Sequence, residues 1–301
     1  MANNSTHFNS AAFAVACIGI ATFSGMDVVM KALALELGAY NALFWRSIIS
    51  VTLAGLLFLW HRPRWPAPGV MRLHVWRGLL IAIMAFLFFW GLKYLPVAEA
   101  IGLSFIAPLI ALYLAAVVLH EHISGKSIIA SLVGLIGAVI VIGGRLGGEY
   151  DAQTGWGIAA ILLSAVMYAY NLILQRQQAL VARPVEIAFF QNCTIMLVLG
   201  CLAPFIAVAP AVSAVPNLLT AALLGLVSLM MMSWAYARAP TSTLIPVEYT
   251  AFAWAALLGW LIFDETVTVT TVLGTALIVT GCLVAAWQEP AHAEHIETTA
   301  V

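Results

Sequence analysis

Ten stretches of roughly 20 residues, almost free of charge, follow one another along the chain. An apolar helix of about that length crosses roughly 30 Å of bilayer hydrocarbon, so each stretch predicts a membrane span. Their limits are 10–31, 41–60, 74–94, 97–119, 127–146, 155–175, 184–208, 217–237, 240–263 and 267–287. Spans three and four run almost together and are divided by Lys93 and Pro96. Runs such as Leu79 to Phe89 are apolar on every face. That excludes outer-membrane barrel strands, which alternate in polarity. The first span lacks a Lys/Arg-rich start and is too long for a cleaved secretory leader, so it is expected to be retained.

Composition removes other classes. With 63% hydrophobic and 8% charged residues, the chain lacks the polar surface of a water-soluble globule. A net charge of −1 from scattered cations provides no basic face, so no nucleic-acid partner is expected. The four cysteines, Cys17, Cys193, Cys201 and Cys282, fall inside apolar runs without metal-binding spacing and read as small buried hydrophobes. There is no Gly-rich phosphate loop and no paired catalytic constellation, and His120-Glu121-His122 is too short for a zinc-protease helix. An enzyme, a cofactor and a catalytic metal are therefore not expected.

Orientation follows from the cations. With the N-terminus inside, the inner loops hold Arg62, Arg64, Arg72, Arg77, Lys126, Arg176, Arg183 and Arg238, against Lys31, Lys93 and Arg145 outside. This bias places both termini in the cytoplasm.

Ten spans invite a search for two halves of five. A shift of 144 residues brings Pro96 onto Pro240, Ala107 onto Ala251, Ala111 onto Ala255, Leu114 onto Leu258, Glu121 onto Glu265 and Gly137 onto Gly281. Each half shows an apolar helix, a carboxylate at its end, a short turn and a helix with small residues. An odd number of spans per half turns the second upside down. The expectation is an all-α polytopic membrane protein of ten transmembrane helices in two inverted five-helix repeats, 10–146 and 155–287, with a cytoplasmic tail at 288–301.

The turns Leu119-His120-Glu121-His122-Ile123-Ser124-Gly125-Lys126 and Phe263-Asp264-Glu265-Thr266-Val267-Thr268-Val269-Thr270 resemble the paired signature of the drug/metabolite transporter superfamily with two EamA-type repeats. Within it, size and aromatic-rich spans are most similar to the YddG-type bacterial exporters of aromatic amino acids. The first span departs from the family's common Trp-Gly pair, reading Phe23-Ser24-Gly25-Met26-Asp27. The resemblance implies a multi-pass carrier of the bacterial inner membrane.

Polar residues at membrane depth are costly and mark function. By distance from the span ends, Asp27, Lys31, Arg46 and Glu99 form an outer group, while Asn171, Gln191, Asn192, Trp234, Glu248 and Tyr249 form an inner one. Lys31, Lys93 and Glu99 fit helix ends snorkelling to headgroups; Arg46, the only cation placed deep in a span, and Glu248 fit function. Ser24, Asp27 and Lys31 share one face of the first span, as Ser164, Tyr168 and Asn171 do of the sixth. Asp27 and Arg46, at similar depth on neighbouring spans, are candidates for an ion pair, and with Lys31 form the gate candidates.

Pro108 and Pro246 free the carbonyls of Ser104 and Ser242, and Ser104 corresponds to Glu248 under the repeat, which makes spans four and nine cavity walls. Small residues spaced by four, Ala130, Gly134 and Ala138 in span five and Thr270, Gly274, Gly281 and Ala285 in span ten, read as packing seams within a monomer rather than a dimer contact. Glu121 and Glu265 are expected to fix their turns. Trp60, Trp65 and Trp76 fit an interfacial belt, while Trp45, Trp90, Tyr168, Tyr170, Trp234, Tyr249 and Trp254 are candidates to line an apolar cavity.

The expected substrate-binding set is Arg46, Trp90, Ser104, Tyr168, Asn171, Gln191, Asn192, Trp234, Glu248 and Tyr249. One group of each sign, amides and aromatic walls suit a zwitterion, so the expected function is export of aromatic or apolar amino acids, with methionine and threonine as further candidates, by alternating access. The alternative is a proton-coupled exporter of lipophilic cations, for which carboxylates and aromatics suffice. Glu248 is the candidate proton site. The partners expected are a small-molecule substrate and the lipid bilayer.

Overall fold

A computed structural model describes residues 10–61, 65–107, 152–239, 250–265 and 267–286, with the isolated positions 110, 111, 113, 114, 132, 133, 136, 137, 139, 140, 244, 247 and 248. Its main elements are α1 (Ser10–Leu37), α2 (Ala39–Trp60), α3 (Pro68–Leu92), α4 (Val97–Ser104), α5 (Ala152–Val181), α6 (Pro184–Gly200), α7 (Val215–Arg238), α8 (Thr250–Phe263) and α9 (Val269–Ala286). No strand occurs among the described residues. Five helices, α1, α2, α3, α5 and α7, are long and apolar enough to cross a membrane, while α6 and α8 are shorter apolar helices. Most of the fifth predicted span, much of the continuation of the fourth, and the seam Ala130-Gly134-Ala138 lie outside the described residues, as do Glu121, Pro108, Ser242, Pro246, Tyr249 and the cations Arg62, Arg64, Lys126 and Arg145.

Local chemistry sets the helix boundaries. A single residue, Gly38, separates α1 from α2; its φ of 79° is open to glycine at little steric cost, and its N–H closes on Ala34 O at 3.1 Å. Proline stands in the first turn of α3, α6 and α7, where a missing N–H is harmless. At the end of α8, Asp264 adopts φ 53°, and the N–H groups of Asp264 and Glu265 fold back onto the carbonyls of Trp260 and Gly259.

The main helix contacts map onto one another when the halves are exchanged, α1 with α5, α2 with α6, α3 with α7 and α4 with α8. The two most extensive interfaces, α1 with α7 and α3 with α5, interchange under this operation. So do α3 with α6 and α7 with α2, and α1 with α8 and α5 with α4; α2 with α6 and α4 with α8 map onto themselves. Each half thus packs chiefly on the other, around a two-fold relation.

Lipid is as apolar as leucine, so close packing rather than hydrophobic burial holds such helices together. The tightest seams run along α3. A Cβ at Gly91 would lie 2.7 Å from the Gly157 carbonyl oxygen on α5, and one at Gly78 would lie 2.5 Å from Thr194 Cβ on α6. A further close approach joins Gly102 of α4 to Thr275 of α9. The observed seams therefore involve α3 as well as the tenth span. Trp60, Trp65 and Trp76 are exposed, as a belt requires, while Cys201 is exposed rather than buried.

Overpacking either α3 seam should destabilise the fold by about 1–3 kcal/mol. Gly78→Ala clashes with the Thr194 side chain from its Cβ outward, so Thr194→Gly in the same chain, which removes that Cβ, should recover more of the thermal midpoint in detergent than Thr194→Ala, which keeps it. Gly91→Ala meets backbone, and no side-chain substitution opposite it should rescue that loss.

Candidate functional site

A cavity of about 210 Å³ lies among α1 to α7, closed on the α8 side by Glu248 and Ala251. Most of its wall is apolar, with Phe23, Phe88, Phe89, Phe105, Met26, Met84 and Met232. Into it project eight of the residues expected from the sequence: Asp27, Arg46, Ser104, Tyr168, Asn171, Gln191, Asn192 and Glu248.

Trp90 and Trp234 are not brought to the cavity. Trp90 packs edge-on against Tyr94, and Trp234 lies under the Arg238 guanidinium at 4.0 Å, because depth along a helix does not determine which side it faces. Of the other aromatic candidates among the described residues, only Tyr168 is in the wall. Trp45 donates to Val208 O, and Trp254 is exposed on the outside of the bundle.

The polar groups of the cavity divide into a satisfied and an unsatisfied set. In the first, Tyr168 and Tyr236 each donate a hydroxyl hydrogen to one Glu248 oxygen at 2.9 Å. Arg77 donates from Nε to Asn171 Oδ1 at 2.9 Å, from Nη2 to Gln175 Oε1 at 3.0 Å and from Nη1 to Gln178 Oε1. Arg77 is 2% exposed and lines the cavity, so it is no loop cation. Arg46 is thus not the only deep cation, and the loop bias of eight to three becomes seven to three. A signal for this was present: Asn171, Gln175 and Gln178 fall at i, i+4 and i+7, one polar stripe of α5 requiring a polar partner.

The unsatisfied set comprises both oxygens of Asp27, Nε of Arg46 and Oε1 of Gln191, none of which has a hydrogen-bond partner among the described residues. The Asp27–Arg46 ion pair is not formed. Arg46 instead reaches Met26 Sδ at 2.8 Å, leaving the carboxylate open. Gly225 of α7 stands beside this group; a Cβ there would lie 3.0 Å from Met26 Sδ and 3.6 Å from Arg46 Nη1. Native structures rarely leave buried polar atoms unpaired, and in a cavity wall such atoms are the natural contacts of a ligand. Among the described residues no group of three His, Cys, Asp or Glu is placed to hold a metal ion.

Lys31 does not snorkel. It is buried at the end of the bundle, where Nζ donates to Leu95 O at 2.7 Å and is paired with Glu265, whose other oxygen accepts the Val97 N–H at 2.8 Å. The turn at Asp264 delivers this carboxylate, and Gly259 leaves room for it, since a Cβ there would lie 2.9 Å from Glu265 Oε2. Glu265 therefore joins the two halves, beyond fixing its own turn. At the opposite end Arg176 of α5 donates to Tyr236 O and Ala239 O. Ala239 is the residue that the 144-residue shift places on Leu95, so a cation from the first helix of each half holds the carbonyl preceding the proline before its fourth helix.

Comparison with known proteins gives a consistent result. The chain matches the EamA-like transporter family over residues 10–143 and 155–287. It is 28% identical to the pseudopaline exporter of Pseudomonas aeruginosa, over 87% of this chain and 91% of that protein. It is 22% identical to the S-adenosylmethionine uptake transporter of Rickettsia prowazekii, over 90% and 91% respectively. A solved crystal structure superposes with a TM-score of 0.63 at 21% identity, covering 92% of this chain and 96% of that one, a likeness of fold.

Two outcomes test the site. Glu248→Gln offers the two tyrosines one acceptor in place of two and should lower flux through reconstituted vesicles; flux at the wild-type level would remove Glu248 from both binding and proton transfer. A double-mutant cycle of Lys31→Met and Glu265→Gln, read by thermal unfolding, should give a coupling of about 1–3 kcal/mol, and additive losses would show no interaction.

Proposed function

The chain belongs to the EamA-like transporter family, and from that premise we propose that it is a secondary carrier exporting a small zwitterionic metabolite, an amino acid with an aromatic or apolar side chain, across the bacterial inner membrane. The observation that carries this reading is the open pair of opposite charges in an apolar cavity. Among the described residues Asp27 has no hydrogen-bond partner for either oxygen and Arg46 has none for Nε, so an ammonium and a carboxylate on one molecule satisfy both. The phenylalanine and methionine walls suit the apolar remainder.

Size supports the same class. A cavity of about 210 Å³ lies below the roughly 300–1,000 Å³ of pockets for drug-sized ligands, which favours a compact amino acid over a bulky lipophilic cation. The seven-to-three bias of cations supports cytoplasmic termini. The self-mapping contact scheme supports alternating access by two inverted halves, with Lys31 and Glu265 sealing the outer end.

Transport into proteoliposomes, with and without an imposed pH gradient, tests the proposal using phenylalanine, tryptophan, methionine and threonine beside a panel of aromatic cations. Uptake of the cations and of none of the four amino acids would overturn it. Asp27→Asn should weaken phenylalanine by roughly tenfold to a hundredfold and leave N-acetylphenylalanine unchanged, since only the former carries the ammonium. Arg46→Gln should do the same for phenylalanine while sparing phenylalanine amide.

A further inference from the structure

Three helix ends meet beside the satisfied half of the cavity: the start of α3, the end of α5 and the start of α6. They carry a buried chain of polar side chains. Glu186, in the first turn of α6 and 13% exposed, meets His74 Nε2 at 3.1 Å. His74 Nδ1 meets Gln178 Nε2 at 2.6 Å, and Gln178 Oε1 accepts from Arg77 Nη1. His74 and Gln178 are fully buried and outside the cavity wall, whereas Arg77 is in it.

We infer that His74 is a proton-binding site whose occupancy decides whether Arg77 is held by the protein or presented to an anionic group of the transported molecule. The orientation of each link is fixed by donor and acceptor capacity. A guanidinium cannot accept, so Gln178 must turn its carbonyl oxygen to Arg77. Its amide nitrogen, a donor only, then faces His74 Nδ1, which must be unprotonated. The imidazole is therefore the neutral form with its hydrogen on Nε2, donated to Glu186.

A proton arriving at Nδ1 sets an N–H against an NH₂ group. Turning the Gln178 amide relieves this, because its carbonyl then accepts from Nδ1. The same turn points the NH₂ group at Arg77, which loses the acceptor for Nη1 while keeping Asn171 and Gln175. Arg77 lines the same cavity as Arg46, so a guanidinium freed of Gln178 can turn Nη1 toward the cargo carboxylate held at Arg46, which then gains a second cation and a further bond. Binding of proton and anion reinforce each other by an equal factor.

The charged groups around His74 are few. α6 brings Glu186, α3 itself brings Arg77, and α5 brings the neutral Gln178, its Arg176 being engaged with the Tyr236 and Ala239 carbonyls. Phe190 of α6 stacks on the imidazole at 5.2 Å. The other helices packed on α3 carry Asp27 and Lys31, Arg46 and Glu99 toward the opposite half of the bundle, where α1 finishes and α4 begins. Glu186 is the outermost link of the chain, so His74 exchanges protons with the compartment at that end, the cytoplasm under the orientation proposed above. Cargo loading at Arg77 strengthens as that side acidifies.

The anion half of this inference rests on the reading of the cargo as a carboxylate-bearing molecule, and the proton half does not. The test is a side-chain nitrogen NMR titration of the full-length protein without ligand, beside phenylalanine binding at about pH 8 and about pH 5.5. The expected result is a His74 ring protonated on Nε2 at the higher pH, with Gln178 amide and Arg77 Nε signals shifting at the same midpoint as the ring. In His74→Gln, where the new amide accepts from Gln178 and donates to Glu186 as neutral His74 does, both signals should ignore pH. Wild-type protein should bind phenylalanine roughly tenfold more tightly at the lower pH, and the variant equally at both. Gln178→Glu, which pairs Arg77 permanently, should also bind without pH dependence. A His74 that titrates while Gln178 and Arg77 stay unmoved, or that stays neutral across the range, overturns the proton site. Absence of phenylalanine binding at both pH values overturns the cargo reading, and the ligand-free titration then decides the proton site by itself.

Discussion

Within hydrocarbon a polar group has no water to fall back on, and the whole bundle is arranged around that constraint. Arg77 is the clearest case. It is among the largest fully buried side chains of the described residues, and three amides from one face of α5 surround its guanidinium. Those amides hold α3 and α5 in one rotational setting, and the Gly91–Gly157 approach along the same seam makes that setting close enough to reach. Asp27 and Arg46 lie at the other extreme. Among the described residues nothing pairs with either Asp27 oxygen or with Arg46 Nε, and the family to which the chain belongs gives a reason why such incompleteness is retained.

The scaffold repeats while the chemistry does not. Exchange of the halves preserves which helix packs on which, and even the cation that holds the carbonyl before the fourth helix, yet the cavity residues differ at equivalent places. Asp27 corresponds to Asn171, Lys31 to Gln175 and Ser104 to Glu248. Packing seams are compatible with any polar residue that points inward, so the two halves share backbone geometry and diverge in charge. The first half offers an open acid and base together with the Arg77 guanidinium; the second offers Glu248 with its tyrosines and the amides that enclose that guanidinium.

The long apolar helices, the two repeats and eight cavity residues were legible because they depend on distance along the chain: a run's length gives a helix long enough to cross, and a residue's place in the run gives its height. What distance along a helix cannot give is azimuth. Trp90 and Trp234 stand at suitable heights and face elsewhere, and Asp27 and Arg46 match in height without meeting. Arg77 was obscured for a different reason. The cluster of Arg72 and Arg77 reads as a loop, whereas Pro68 starts α3 earlier and makes a helix of 25 residues whose first turns still carry charge. Only the polar stripe on α5, considered together with α3, reveals which of those cations turns inward.

Glu265 adds a consequence that concerns the folding of one helix. Its carboxylate comes from the second half, yet it accepts the first free amide of α4, which Pro96 leaves without a capping side chain. The start of α4 is thus stabilised in trans, across the line along which the halves meet. Parting the halves at that end would leave Val97 unpaired as well as breaking an ion pair, so the opened state carries a helix that has lost its cap. Under the alternating access proposed above, the cycle would draw partly on secondary structure, and the local stability of α4 would record which way the protein faces.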